Sequence, residues 1–149
     1  MHAFIDASFA VHPDARAHTG IVITIGCGAL YVKSVFQKLV SKSSTEAELI
    51  GLSDTIGQVI WTRNFLEALG YRLDPATVYQ DNLSTIAMVH NGSPTSHRTR
   101  HINIRFFFVK DLEQRGEIML EHCPSEDMLA DFIRLRDQIL GHALTHSSH

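Results

Sequence analysis

The segment Ser43-Ser44-Thr45-Glu46-Ala47-Glu48-Leu49-Ile50-Gly51-Leu52 decides the fold of this chain, because it begins the longest helix that the sequence predicts. Glu46 and Glu48 lie in its first turns, and a carboxylate beside an apolar helix face is costly unless a cation or a helix N-terminus meets it. Gly70 ends the helical pattern. The apolar residues recur at helical spacing and form one face: Leu49, Leu52, Ile56, Val59, Leu66 and Leu69.

The helix start leaves two capping arrangements open. If Ser43 is the N-cap, Glu46 completes a capping box and Glu48 is free to face another part of the molecule. If Thr45 is the N-cap, Glu48 takes the box position and the roles of the two glutamates reverse. Helical spacing alone does not choose between them.

Length and composition predict one domain with one hydrophobic core, since the chain has 149 residues and 44% of them are apolar. No window is apolar over the length that a membrane span requires, so we expect no membrane partner. Two cysteines, Cys27 and Cys123, indicate a reducing compartment and no disulfide framework. The formal net charge of −3 argues against a strongly basic nucleic-acid binder. We expect the domain to span residues 1–141 and the His- and Ser-rich residues 142–149 to form a disordered tail.

Periodicity along the chain predicts five strands and four helices in the order β-β-β-α-β-α-α-β-α. This order predicts an α/β fold with a five-stranded mixed sheet, in which three antiparallel strands are followed by two strands added through helical crossovers. The predicted strands span residues 2–8, 19–25, 29–36, 76–80 and 117–122, and the later helices span residues 83–90, 100–115 and 125–140.

Four carboxylates lie on elements that border the strand ends, where a mixed α/β sheet binds its ligands. Asp6 lies in the first strand, a glutamate of the pair Glu46–Glu48 lies on the first helix, Asp81 ends the fourth strand, and Asp131 lies near the start of the last helix. Each acid has a structural explanation on its own; Asp81 or Asn82, for example, can cap the second helix. As a set they would repel one another unless cations lay between them, and oxygen ligands suit Mg²⁺ or Mn²⁺.

Short motifs run in a fixed order along residues 2–133. They are Ile5-Asp6-Ala7-Ser8, Thr19-Gly20, Lys33-Ser34, Gln37-Lys38, Ser43–Glu48, Tyr79-Gln80-Asp81-Asn82, Arg98–Ile102, Ile104-Arg105, Pro124–Asp127 and Leu129-Ala130-Asp131. Each motif is weak alone, but the ordered set resembles the ribonuclease H domain of copia-type retrotransposon polyproteins. The resemblance implies a ribonuclease H-like fold and cleavage of the RNA strand of RNA–DNA hybrids during reverse transcription.

The resemblance also implies a catalytic centre with two Mg²⁺ ions, for which Mn²⁺ would substitute. Two metals roughly 3.5–4 Å apart can bind both oxygens of an in-line displacement. The family's glutamate precedes an apolar residue, which selects Glu48 over Glu46. The implied catalytic residues and metal ligands are Asp6, Glu48, Asp81 and Asp131.

Substrate and partners follow from the same resemblance. Affinity for the hybrid would come from its phosphates and selectivity for RNA from its 2′-hydroxyl groups. A reverse transcriptase polymerase domain in the same polyprotein is the implied partner, in a cytoplasmic retrotransposon particle or in the nucleus. The residues expected to contact nucleic acid are Lys33, Lys38, Asn82, Arg98, Arg100, His101 and Arg105. The competing interpretation for the lysines is a solvated face. The competing interpretation for the motif around Arg100 is a structural role.

Two other functions fit part of the pattern. A degenerate, noncatalytic module on this fold would only bind or connect, but the retention of all four acids argues against it. An integrase or another nuclease on this fold would place its glutamate last, whereas here it comes second. The chain departs from the family in its last segment, where residues 132–136 replace the usual Thr-Lys-Pro. His122 is predicted to lie within a strand, so we assign it no catalytic role.

Overall fold

The computed structural model describes residues 1–9, 16–92 and 100–129. Its strands form one five-stranded sheet in the order β3-β2-β1-β4-β5. The strands are β1 (His2–Ser8), β2 (Arg16–Ile25), β3 (Gly28–Val40), β4 (Ala76–Gln80) and β5 (Ile118–His122), and the helices are α1 (Ser44–Ala68), α2 (Leu83–Asn91) and α3 (Arg100–Gln114).

The predicted topology is confirmed. Strands β1, β2 and β3 pair antiparallel, and β4 joins β1 and β5 joins β4 in parallel. Strand β2 begins at Arg16, three residues earlier than predicted, and β3 continues to Val40 instead of ending at Phe36. Lys38, which the sequence suggested belongs to a solvated face leading to the long helix, lies in this extension, and an edge strand accommodates exposed lysines. Gln37 and Leu39, on either side of Lys38, turn toward the core.

The N-terminus of α1 follows the first of the two capping arrangements. The Ser43 side chain accepts a hydrogen bond from the Glu46 N–H at 3.2 Å, and the backbone of Ser43 is extended. The Glu46 carboxylate accepts from the Lys42 N–H at 2.8 Å, one residue before the partner that a standard capping box would use. Glu46 therefore acts locally, at the start of the helix.

The core lies between the sheet and α1, with α3 packed beside α1. Four of the six apolar residues predicted for α1 are completely buried, whereas Leu66 is half-buried and Leu69 is 60% exposed. The prediction for Leu69 is wrong because α1 ends at Ala68, beyond the sheet it packs on. On the sheet, the side chains that face α1 come from alternate positions: Ala3, Ile5, Ile21, Ile23, Ala76 and Val78.

The segment after β5 differs from the prediction. Ser125–Asp127 form a single 3₁₀ turn and Met128 is extended, so a continuous helix does not begin at Ser125. The reason is packing, since the Met128 side chain is buried against Val22 and Cys123. Asp131, the remainder of the predicted last helix and residues 142–149 lie outside the described residues, as does Arg98. In the part that is described, no helix is both long and apolar enough to cross a membrane.

Two glycines of α1 test how closely this helix approaches the sheet. A Cβ at Gly51 would lie 3.0 Å from the Thr19 side chain and 3.3 Å from the Ala7 Cβ, whereas a Cβ at Gly57 would meet nothing within 4 Å. Thr19 is buried and accepts a hydrogen bond from Gln37, which restricts its movement. We predict that Gly51→Ala lowers the free energy of unfolding by about 1–2 kcal/mol through overpacking.

Gly57→Ala is the matched control on the same helix. There the gain in helix propensity is unopposed, so we expect the free energy of unfolding to rise by up to about 1 kcal/mol. Urea unfolding of both variants measures the difference. A stabilising Gly51→Ala would show that α1 can move away from the sheet at little cost.

Candidate metal centre

Three of the four predicted acids converge at one end of the sheet. Carboxylate oxygens of Asp6, Glu48 and Asp81 all lie within 4.8 Å of one another. Asp6 is in β1 and Asp81 follows β4, and these strands are parallel neighbours, so their carboxyl ends meet at the same edge. Helix α1 packs on β1 and supplies Glu48 from its first turns. The cluster thus combines three elements that are distant in sequence.

Of the two neighbouring glutamates, Glu48 is the one that enters the cluster. Its side chain is buried, and its two carboxylate oxygens accept the Ala7 N–H at 3.2 and 3.1 Å. Glu46 is held at the helix start by the Lys42 N–H. The geometry therefore gives the two glutamates different surroundings, as the Ser43 cap allows.

Electrostatics in the cluster oppose full ionisation. Burial, followed by the charges of Asp6 and Asp81, raises the pKa of Glu48 from 4.5 to about 9. The hydrogen bond from the Ala7 N–H acts in the other direction but does not compensate. Without a cation, the site is more stable when Glu48 keeps its proton.

The donor set fits a hard divalent cation. All three clustered side chains offer carboxylate oxygens, the ligands that Mg²⁺ and Mn²⁺ prefer. A cation between them would relieve the repulsion that raises the pKa of Glu48. Asp81 is also positioned by the Ser125 hydroxyl, which donates to its Oδ2 at 2.8 Å. Asp131, the fourth predicted ligand, lies outside the described residues.

The residues predicted to contact nucleic acid have varied surroundings. Lys33 and Lys38 are exposed on β3. Asn82 accepts the Thr85 N–H at 3.1 Å and is therefore the N-cap of α2, for which Asp81 was the other candidate. Arg100 and His101 are exposed at the start of α3.

Arg105 forms an ion pair in the described chain. Its guanidinium forms an ion pair with Asp54 of α1 and thereby joins α3 to α1. It also lines a cleft of about 370 Å³ together with Lys33 and Lys38.

Sequence reasoning missed the Ala7 N–H and the Ser125 hydroxyl, which hold the acids in place, and the buried amide of Gln80. A signal was available for Gln80. Ala76 and Val78 alternate on the buried face of β4, and the next residue on that face is polar. A buried glutamine requires a hydrogen-bonding partner, and the nearby acids are candidates.

No family model matches the chain, but two plant transposon proteins do. The chain is 34% identical over 134 residues to the retrovirus-related Pol polyprotein from transposon RE1 of Arabidopsis thaliana, covering 88% of this chain and 9% of that protein. It is also 34% identical over 134 residues to the corresponding polyprotein from transposon TNT 1-94 of Nicotiana tabacum, covering 89% and 10%. The chain thus spans about a tenth of the length of these curated relatives.

Solved structures match the fold. The LC11 RNase H1, determined in complex with an RNA/DNA hybrid, superposes with a TM-score of 0.67 at 14% identity, covering 93% of this chain and 98% of that one. RNase H1 of Halobacterium salinarum gives 0.63 at 16%, covering 91% and 97%. Prototype foamy virus protease–reverse transcriptase gives 0.57 at 15%, covering 91% of this chain and 20% of that one. The ribonuclease H fold and the resemblance to retrotransposon polyproteins are confirmed.

The raised pKa of Glu48 predicts how stability depends on pH in the absence of metal. Between pH 4.5, its ordinary pKa, and about 9, the native state binds more protons than the unfolded state. The contribution of protonated Glu48 to the free energy of unfolding is therefore present in full below pH 4.5 and is lost as pH rises toward 9. Glu48→Gln removes this dependence, so we expect the variant to be more stable than wild type by about 3 kcal/mol at pH 7 and equal near pH 4.5.

Chemical unfolding in EDTA at several pH values measures this difference. Glu46→Gln is the control, because its carboxylate lies at the helix cap and outside the cluster. That variant should keep the pH dependence of wild type. A difference between wild type and Glu48→Gln that does not grow with pH would contradict the prediction.

Proposed function

We propose that this chain, a ribonuclease H domain of a copia-type retrotransposon polyprotein, cleaves the RNA strand of RNA–DNA hybrids with divalent metal ions. The convergence of Asp6, Glu48 and Asp81 at the end of β1 and β4 carries the proposal. It is supported by the polyprotein relatives and by the fold shared with RNase H1 structures, one of which was solved with a hybrid.

The three clustered acids and Asp131 are proposed as ligands of two Mg²⁺ ions, with Mn²⁺ able to substitute. When bound, such ions supply Lewis acidity for activating the attacking water and for stabilising the leaving 3′ oxygen. The chain itself orients the ligands. The Ala7 N–H fixes Glu48, and the Ser125 hydroxyl fixes Asp81.

Contacts with the hybrid are proposed for the exposed cations Lys33, Lys38, Arg100 and His101, together with Asn82. Arg98 and Arg105 belong to the same proposed set, although the ion pair with Asp54 already occupies the Arg105 guanidinium. We further propose that a reverse transcriptase polymerase domain in the same polyprotein is the partner and that the protein acts in a cytoplasmic particle or in the nucleus.

Substitutions of the acids test the catalytic assignment. We predict that Asp6→Asn, Asp81→Asn and Glu48→Gln each reduce cleavage of a labelled hybrid in Mg²⁺ by at least about 100-fold while the fold survives. Glu46→Gln should keep most of the activity, because the glutamine carbonyl can still accept the Lys42 N–H. An active Glu48→Gln beside an inactive Glu46→Gln would overturn the assignment.

The alternatives give different results in the same assay. A noncatalytic module would bind the hybrid but cleave nothing at any metal concentration. An integrase or another nuclease on this fold would cleave duplex DNA, whereas we expect cleavage of the hybrid alone. Asp131→Asn extends the test to the acid that the structure does not describe, and we expect it to lower the rate as strongly as the other three.

A further inference from the structure

Helix α1 carries a second row of large apolar residues, which the core does not use. Trp61, Phe65 and Leu69 follow one another at intervals of four residues, so they lie along one side of the helix. Residues two apart on an α-helix differ by about 200° in direction, so Trp61 points away from the sheet against which Val59 is buried. These three residues, which we call the outer stripe, are 60%, 49% and 60% exposed.

Helix formation alone does not explain the outer stripe. Aromatic residues form helices less well than alanine, leucine or glutamate, and the solvent-facing side of a helix offers them little burial within the chain. The rings of Trp61 and Phe65 are stacked, with 5.3 Å between their centroids and 4° between their planes. Stacking restricts both side chains before a partner arrives, which lowers the entropic cost of binding. The stripe is therefore a preformed apolar surface.

The area of the outer stripe indicates the kind of partner that fits it. An aromatic side chain buries about 150–250 Å², so the exposed parts of the three residues amount to roughly 350 Å². A stable complex between separate proteins buries about 800 Å² on each partner. Interfaces between domains of one chain begin at about 600 Å² in total, or roughly 300 Å² on each side. The stripe thus matches a domain that is covalently joined to this one and is too small for a stable dimer of this chain.

The outer stripe also lies at the end of the molecule where the first residue is found. Arg63, within the stripe's length of α1, pairs with Glu117 at 2.9 Å, and the Glu117 carbonyl accepts the Ala76 N–H at the start of β4. The next N–H of β4, that of Thr77, donates to the Met1 carbonyl at 3.2 Å. A domain joined to Met1 would therefore begin close to the stripe.

The metal centre is far from this surface. Glu48 lies in the first turns of α1, whereas Trp61 and Leu69 lie in its second half and at its end. At 1.5 Å per residue, the stripe begins about 20 Å and ends about 30 Å from Glu48 along the helix axis. A partner on the stripe would leave the acids open to a nucleic-acid substrate.

We propose that the outer stripe is the surface on which the neighbouring domain of the polyprotein docks onto this domain. The inference rests on the proposed function, under which that neighbour is the reverse transcriptase polymerase domain. The chain spans about a tenth of its polyprotein relatives, so a partner joined in the same chain is consistent with their length. Tethering gives an effective concentration of about 1 mM, which lets a small apolar contact stay occupied although it is weak between separate domains.

The test uses Trp61 as its own reporter, because it is the single tryptophan of the chain. Labelling with fluorotryptophan therefore gives one fluorine resonance in NMR spectra. We expect the unlabelled polymerase domain of the parent polyprotein to shift this resonance with a Kd of roughly 0.1–1 mM. Ligation of the labelled chain to that domain through residue 1 should give the shifted position at every protein concentration. A resonance that stays in place both in the mixture and in the ligated protein would overturn the proposal.

Two substitutions of exposed apolar residues show whether the stripe itself binds. Phe65→Gln removes the ring stacked on Trp61, and we expect it to raise the Kd at least about 5-fold, as for a central interface residue. Leu30→Gln removes a residue of similar exposure on β3, outside the stripe, and should leave the Kd within about twofold of wild type. Thermal unfolding confirms that both variants fold. A Phe65→Gln protein with the Kd of wild type would overturn the assignment.

The remaining outcomes separate this inference from its alternatives. If the resonance of the chain alone moved with its concentration while sedimentation showed a dimer, a second copy would be the occupant and the proposal would be wrong. A chain that docks in this assay but cleaves no hybrid would overturn the proposed function and leave the docking surface established. A chain that cleaves hybrid while Trp61 ignores the polymerase domain would overturn the docking surface alone.

Discussion

The structure depends on the placement of one carboxylate, that of Glu48, in a buried position beside two aspartates. Burial and like charge both disfavour its ionised form, and they raise its pKa to about 9. The surrounding chain compensates in part with the Ala7 N–H of β1, and among the described residues no lysine or arginine contributes to the pKa of Glu48. The donor that Glu48 accepts is uncharged, so the repulsion between Glu48 and the two aspartates is of the kind that a bound metal ion relieves.

Helix geometry explains why only one of the neighbouring glutamates occupies this position. Residues two apart on an α-helix differ by about 200° in direction, so Glu46 and Glu48 cannot face the same group. The burial of Leu49 and Leu52 against the sheet fixes the rotation of α1 about its axis. Gly51 permits the close approach to Thr19 that this packing requires. The packing of Leu49, Gly51 and Leu52 against the sheet thus decides that Glu48, and not Glu46, joins Asp6 and Asp81.

Local patterns predicted the elements well, and tertiary packing accounts for the differences. Periodicity placed all five strands and the first three helices close to their observed bounds, because alternation and helical spacing reflect which face is buried. The end of β3 was missed because exposed lysines look alike on an edge strand and on a loop. The 3₁₀ turn at Ser125 follows from the burial of Met128 against Val22, a contact that no local pattern contains.

The site was predictable to a different extent. The sequence placed Asp6 in the first strand and Asp81 at the end of the fourth, but the pairing of β1 with β4 that brings them together is seen only in the structure. The choice of Glu48 required the family resemblance. Groups that position the acids were not found, because a backbone N–H such as that of Ala7 carries no sequence signal. Gln80 did carry a sequence signal, because it is a polar residue at a buried position of β4. The role of such a residue depends on the side chains that surround it in the folded chain.

Charge links the metal centre to the proposed substrate. The formal net charge of −3, which already includes the exposed lysines of β3, is unfavourable for a protein that binds a phosphate backbone. Under the proposed occupancy, two divalent cations add four positive charges and bring the formal charge from −3 to +1. These charges appear at the end of β1 and β4, where the acids would otherwise repel phosphate. The acids that destabilise the metal-free fold are therefore the ones that turn this edge of the sheet into a surface for an anionic substrate once metal is bound.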